Sequence, residues 1–251
     1  MSTAEIQRTD QEILDRAAQD DIDAIAAYNP DPDAVLHEVQ DQADALFTWD
    51  YEKGSRPRLD KLYEKAKVSQ WNAQTDLDWS IEVDPLKAFS IFTESSNVNT
   101  SHWTEHPDSP AKNWGDKEWD QFSIESFAWR LSQFLHGEQG AMLVASQLVS
   151  CAPTYQAKLY AASQTFDEAR HVEVFARYIK EIHGIEYPIN KSLKALIDKI
   201  LSDERWDLKF IGMQIIIEGL ALAAFQTTCL LYTSDAADEG LGVDLGGRRI
   251  I

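Results

Sequence analysis

The chain has 251 residues, 44% of them hydrophobic and eight of them Trp, enough for one large domain with a sizeable core. Its formal net charge of −19 argues against nucleic acid or an anionic membrane as a partner. Two cysteines (Cys151 and Cys229), a polar start (MSTAEIQRTDQE) and no apolar run of membrane-spanning length lead to the expectation of a cytoplasmic protein.

In chain order, residues 10–28 and 33–50 predict two acidic amphipathic helices separated by Asn29-Pro30-Asp31-Pro32. A loop at 53–57 leads to helical period from Leu59 to Trp71. Asn72 to Pro85 reads as extended and aromatic-rich, 86–93 as the start of a short helix, and Glu94 to Asp116 as a long loop. From Lys117 the pattern predicts two long antiparallel helices that turn at Cys151-Ala152-Pro153, because proline ends one helix and opens the next. His183-Gly184 is a stop signal, followed by a helix at about 190–202 and a final helix from about 205. There is no strand-rich region, so the predicted fold class is all-α, with residues 1–116 packing on a helical unit at 117–228.

Cys229 to Glu239, CLLYTSDAADE, resembles the in-frame translation of a transposase adapter used in sequencing libraries. Residues 229–251 are therefore read as a non-native tail and set aside from the fold.

Three carboxylates fall within apolar stripes. Glu138 sits among Phe127, Leu131, Phe134, Ala141, Ala145 and Leu148. Glu168 and His171 share a face with Ala161, Gln164, Phe175, Ile179 and Ile182. Glu218 lies on a stripe with Ile211, Ile215, Leu222 and Phe225. Glu138 is 15 residues before Pro153 and Glu168 is 15 after it, so folding at the proline brings the two acids level. Acids centred on a core stripe are costly unless paired or bound to metal, and two facing each other without a cation repel. The pattern therefore points to a metal centre. His37 and His183 read as surface residues, and His136 lies off the Glu138 face. His102 and His106 fall in a loop, and the tryptophans, Trp71 and Trp79 among them, read as packing anchors.

With Glu138, the run Asp167-Glu168-Ala169-Arg170-His171 and Glu218-Gly219-Leu220, the chain resembles the ferritin-like di-iron carboxylate proteins of the oxygenase and oxidase branch. That group includes multicomponent monooxygenase hydroxylases, acyl-carrier-protein desaturases and ribonucleotide reductase small subunits. The resemblance spans about 117–228 and implies a four-helix bundle with extra N-terminal helices, its last helix missing together with a second Glu-x-x-His. It implies Glu138, Glu168 and His171 as ligands of a first iron, Glu168 bridging, and Glu218 as the start of a second site. Asp167, Arg170, Gln164 and Gln214 would orient those ligands by hydrogen bonds. The implied cofactors are two Fe ions, or a Mn/Fe pair, with O2 as co-substrate. The implied partners are a small-molecule substrate and an electron-donor reductase or ferredoxin, with a homodimer allowed. Two positions depart from the pattern: Phe175 stands where reductase subunits carry a radical tyrosine, and Ala221 and Leu222 stand where monooxygenases carry a threonine. A ferritin-like or rubrerythrin-like protein for iron storage or peroxide scavenging is the alternative. Without a fourth helix, the chain is expected to expose an apolar groove and hold at most one metal equivalent well.

Overall fold

The computed structural model describes residues 39, 41–52, 56–87 and 109–223. Among these there is no β-strand, and helices carry the architecture. We number α1 as Pro57–Val68, α2 as Asp116–Cys151, α3 as Tyr155–Tyr178 and α4 as Lys191–Ser202. The last helix, α5, starts over Trp206–Lys209, widens over Phe210–Ile217 and resumes regular turns over 218–223. No helix among the described residues is long and apolar enough to cross a membrane. The predicted helix at 10–28, the loop histidines His102 and His106 and the tail at 229–251 lie outside the described residues.

Local chemistry sets the boundaries. Glu118 Oε2 accepts from the Gly115 backbone N–H at 3.0 Å where α2 begins, and α2 runs 36 residues, about 54 Å, to Cys151. After Pro153, Thr154 caps α3 by accepting from the Ala157 N–H. The end of α3 loosens into wide turns over Ile179–His183 and stops at Gly184, whose φ of +68° is left-handed and suits glycine. Asn190 then caps α4 through the Leu193 N–H.

The core joins all the long elements: Ala141, Val144, Leu148 and Cys151 of α2, Ala161 of α3, Ile197, Ile200 and Leu201 of α4, and Met213 and Ile217 of α5. Two close approaches make this possible. A methyl group on Gly140 would lie 2.6 Å from Ile197 Cδ1, and one on Gly212 would lie 2.7 Å from Ile200 Cγ1. α4 thus seats an isoleucine on bare backbone of α2 and another on α5.

At the hairpin-turn end, exposed carbonyls are closed systematically. Lys158 Nζ donates to Val149 O and Ser150 O at the end of α2, and Lys209 Nζ donates to Ile200 O and Leu201 O at the end of α4. Backbone N–H groups add to both: Leu46 to Ser150 O at 2.9 Å and Gln42 to Leu201 O at 3.4 Å.

That last contact corrects the helix predicted over 33–50. Residues 41–50 are not helical; the N–H groups of Gln42 and Leu46 go to the open ends of α4 and α2. Asn72 to Pro85 differs too, being built of turns rather than extended chain. In α5, the predicted stripe is rotated: Ile211 and Ile215 are 44% and 57% exposed, while Gly212, Met213, Gln214 and Ile217 are buried. The wide turns over Phe210–Ile217 advance the buried face more slowly than a 3.6-residue period assumes.

Candidate metal centre

The hairpin places Glu138 of α2 opposite Glu168 and His171 of α3. His171 Nδ1 lies 3.0 Å from Glu138 Oε2 and 2.8 Å from Glu168 Oε2. One ligand atom from each of the three lies within 4.8 Å of the others. Glu168 is 1% exposed, and Glu138 and His171 are half-buried.

The electrostatics follow from that crowding. Burial raises the Glu138 carboxyl above its usual range, and the neighbouring Glu168 adds to the rise while His171 opposes it. For His171, burial works against the charged form, yet hydrogen bonds and attraction from Glu138 and Glu168 prevail and push it up to about 9. A proton at Nδ1 therefore holds the two acids together in the metal-free protein.

That proton's place suits a metal ion. Bonds of about 2.1 Å put adjacent donor atoms of an octahedral ion roughly 3.0 Å apart. The two Nδ1–carboxylate separations, 2.8 and 3.0 Å, are close to that spacing, so a cation could enter with small adjustments. Two carboxylates and one imidazole form an N/O donor set suited to iron, manganese or zinc.

Glu218 does not join this group of three; it is half-buried on α5, where regular turns resume. The amides of Gln164 and Gln214 link α3 to α5 at 2.8 Å. Lys209, at the start of α5, contacts Gln147 near the hairpin turn, so α5 leaves that end in the same direction as α3. Each glutamine precedes its acid by four residues in the sequence. Gln214 Nε2 is buried and lacks a hydrogen-bond partner.

Arg170 is held away from the three candidate ligands. Arg170 donates to Asp167 and, at 3.0 Å, to the carbonyl of Trp71, rather than to Glu138, Glu168 or His171. Its guanidinium carbon lies 4.8 Å from the centre of the Trp71 ring, and Trp71 stacks on the His171 ring at 6.3 Å and 23°. Nothing in the sequence pattern pairs Trp71 with a residue so distant along the chain.

A second buried acid also escaped the sequence reading. Glu125, 2% exposed, accepts from Gln121 Nε2 at 2.7 Å and from the hydroxyl of Tyr187, itself 1% exposed. His183, expected at the surface, has both ring nitrogens buried without a partner, beside Phe127 and Tyr178. Burial lowers its pKa. His136 faces the α3–α4 connection, its Nε2 2.8 Å from the Tyr187 carbonyl, and is not near the three ligands' shared point.

No protein-family model, curated protein or solved structure matches the chain.

Proposed function

We propose that the chain is a non-haem di-iron oxidoreductase of ferritin-like build that uses O2 to oxidise or oxygenate a small organic substrate, with electrons from a reductase or ferredoxin. The observation that supports this most is the meeting of Glu138, Glu168 and His171 around one point, with Nδ1 within 3.0 Å of both acids. These three would hold the first ion, and Glu218 on the neighbouring helix would begin a second site. When bound, iron supplies O2 binding and one-electron steps; a Mn/Fe pair suits the same donors.

The chain's own residues have definable parts. His171 gives up its Nδ1 proton to make room for the metal, and the carboxylates balance the metal's charge. Phe134 and Phe175, one helical turn from Glu138 and His171, stack at 6.0 Å and keep water from that side. Phenylalanine at 175 offers no phenol to oxidise, which favours substrate chemistry over storage of a tyrosyl radical.

Anaerobic titration with Fe(II), followed by metal analysis, tests the reading. The expected result is one tightly held iron per chain from these three ligands, lost in His171→Ala and Glu168→Ala. Equal iron retention in wild type and both variants would overturn it. Substrate-dependent O2 uptake is the expected behaviour of an oxidase or oxygenase; a mineralised iron core or peroxide consumption alone would assign the centre to storage or scavenging.

A further inference from the structure

Trp71 lies just past the end of α1, and its indole is the aromatic group stacked on the His171 imidazole. The indole is itself held. Arg170, 6% exposed, donates Nη1 to the Trp71 carbonyl and sets its guanidinium over the Trp71 ring; Nη2 donates to Asp167, and Phe166 lies 5.3 Å away. A chain of contacts thus runs from Asp167 through Arg170 and Trp71 to His171. The two ring planes lie 23° apart, and the imidazole Nδ1 is taken by the two acids.

An imidazole has broad, two-fold freedom about its last torsion, and a flip exchanges Nδ1 for a carbon in its contacts. The His171 side chain is 29% exposed, so core packing alone does not enclose it. A near-parallel planar partner favours one ring plane, the two acids select the flip that presents Nδ1, and ligands fixed before binding lose less freedom when the metal arrives.

We propose that Trp71 is a positioning residue of the metal centre, its indole, braced by Arg170, fixing the ring plane in which Glu138 and Glu168 hold the Nδ1 of His171. On this view α1 and its following turn belong to the centre although they supply no ligand. Asp167 and Arg170 act on the ligand indirectly, through the tryptophan. The consequence for metal affinity rests on the metal reading above; the consequence for ring orientation does not.

The test has two arms on the full chain. In the metal-free protein with chelator, 15N NMR of labelled histidine should show one His171 ring state with a hydrogen-bonded, slowly exchanging Nδ1 proton. Trp71→Ala should average or lose that signal, and Trp71→Phe, which restores an aromatic face, should recover it. In the second arm, Co(II) titration should show about 10-fold weaker binding in Trp71→Ala with a changed ligand-field spectrum, and Trp71→Phe within about 3-fold of wild type. If Trp71→Ala does not fold, Trp71→Leu, which fills space without a stacking face, takes its place. An unchanged Nδ1 signal in the alanine or leucine variant would overturn the proposal, whatever the melting temperature. Should wild type bind no Co(II), the metal reading falls, and the metal-free spectra still decide the role of Trp71.

Discussion

Two buried charged sites share helix α2 and resolve their burial in opposite ways. At the hairpin-turn end, Lys209 is fully buried and gives its three hydrogen bonds to neutral oxygens: Gln147 Oε1 and the carbonyls of Ile200 and Leu201. Burial lowers its pKa, but every ammonium proton has an acceptor, and the group works as a cap on α4. Midway along the hairpin, Glu138 and Glu168 both meet His171 Nδ1, and their pull raises its pKa to about 9. The first arrangement is complete as it stands. The second gathers two acids on one imidazole nitrogen, where a cation is favoured, and that difference separates architecture from a candidate binding site.

The sharpest way to break the comparison is Lys209→Met, which takes the donor from Gln147 Oε1 and the Ile200 carbonyl while Leu201 O keeps Gln147 and Gln42, and should cost about 3–5 kcal/mol. Urea denaturation measures it, and Co(II) affinity of the folded fraction should stay near wild type. His171→Ala should do the reverse. It should weaken Co(II) or Fe(II) binding by at least about 100-fold, roughly 2.7 kcal/mol, while the variant still folds, as seen by circular dichroism and equilibrium dialysis.

A pH series sharpens the contrast. His171 rises from 6.5 in the unfolded chain to about 9 in the fold, so its stabilisation is full below pH 6.5 and lost as pH climbs through 9. The raised Glu138 carboxyl works in the same direction. Metal-free protein should therefore be less stable at pH 9.5 than at pH 6.5, by about 2 kcal/mol after allowing for partial exposure. Metal should flatten that slope, because it replaces the proton, and its apparent affinity should rise with pH up to about 9. The smallest effect is expected from Gly140→Ala. Overlap with Ile197 partly offset by better helix propensity leaves a loss of about 1 kcal/mol, read from a thermal melt.

Much of this was legible from residue spacing. Pro153 fixed the turn, Gly184 the end of α3 and Asn190 the start of α4, each through a local backbone rule. Equal distances from the proline set Glu138 opposite Glu168 for the same reason. The failures are non-local. Residues 41–50 carry helical period, but the open carbonyls of α2 and α4 compete for their N–H groups, and no window of sequence contains those acceptors. The face of α5 was misread because its wide turns break the period on which the stripe was counted. Trp71 looked like any core tryptophan, since its partners Arg170 and His171 are distant in sequence.

The segment around Asp41 to Leu46 has a consequence for how the chain is made. Asp41 meets Gln147 across 106 residues, and Gln42 and Leu46 bind carbonyls at Leu201 and Ser150. On the ribosome these residues emerge long before their partners exist, so the clasp cannot close until α2 and α4 have been synthesised. Lys158 can close the end of α2 before α4 exists, whereas Lys209 follows α4, and loss of either lysine should first show as a lower yield of folded chain during synthesis.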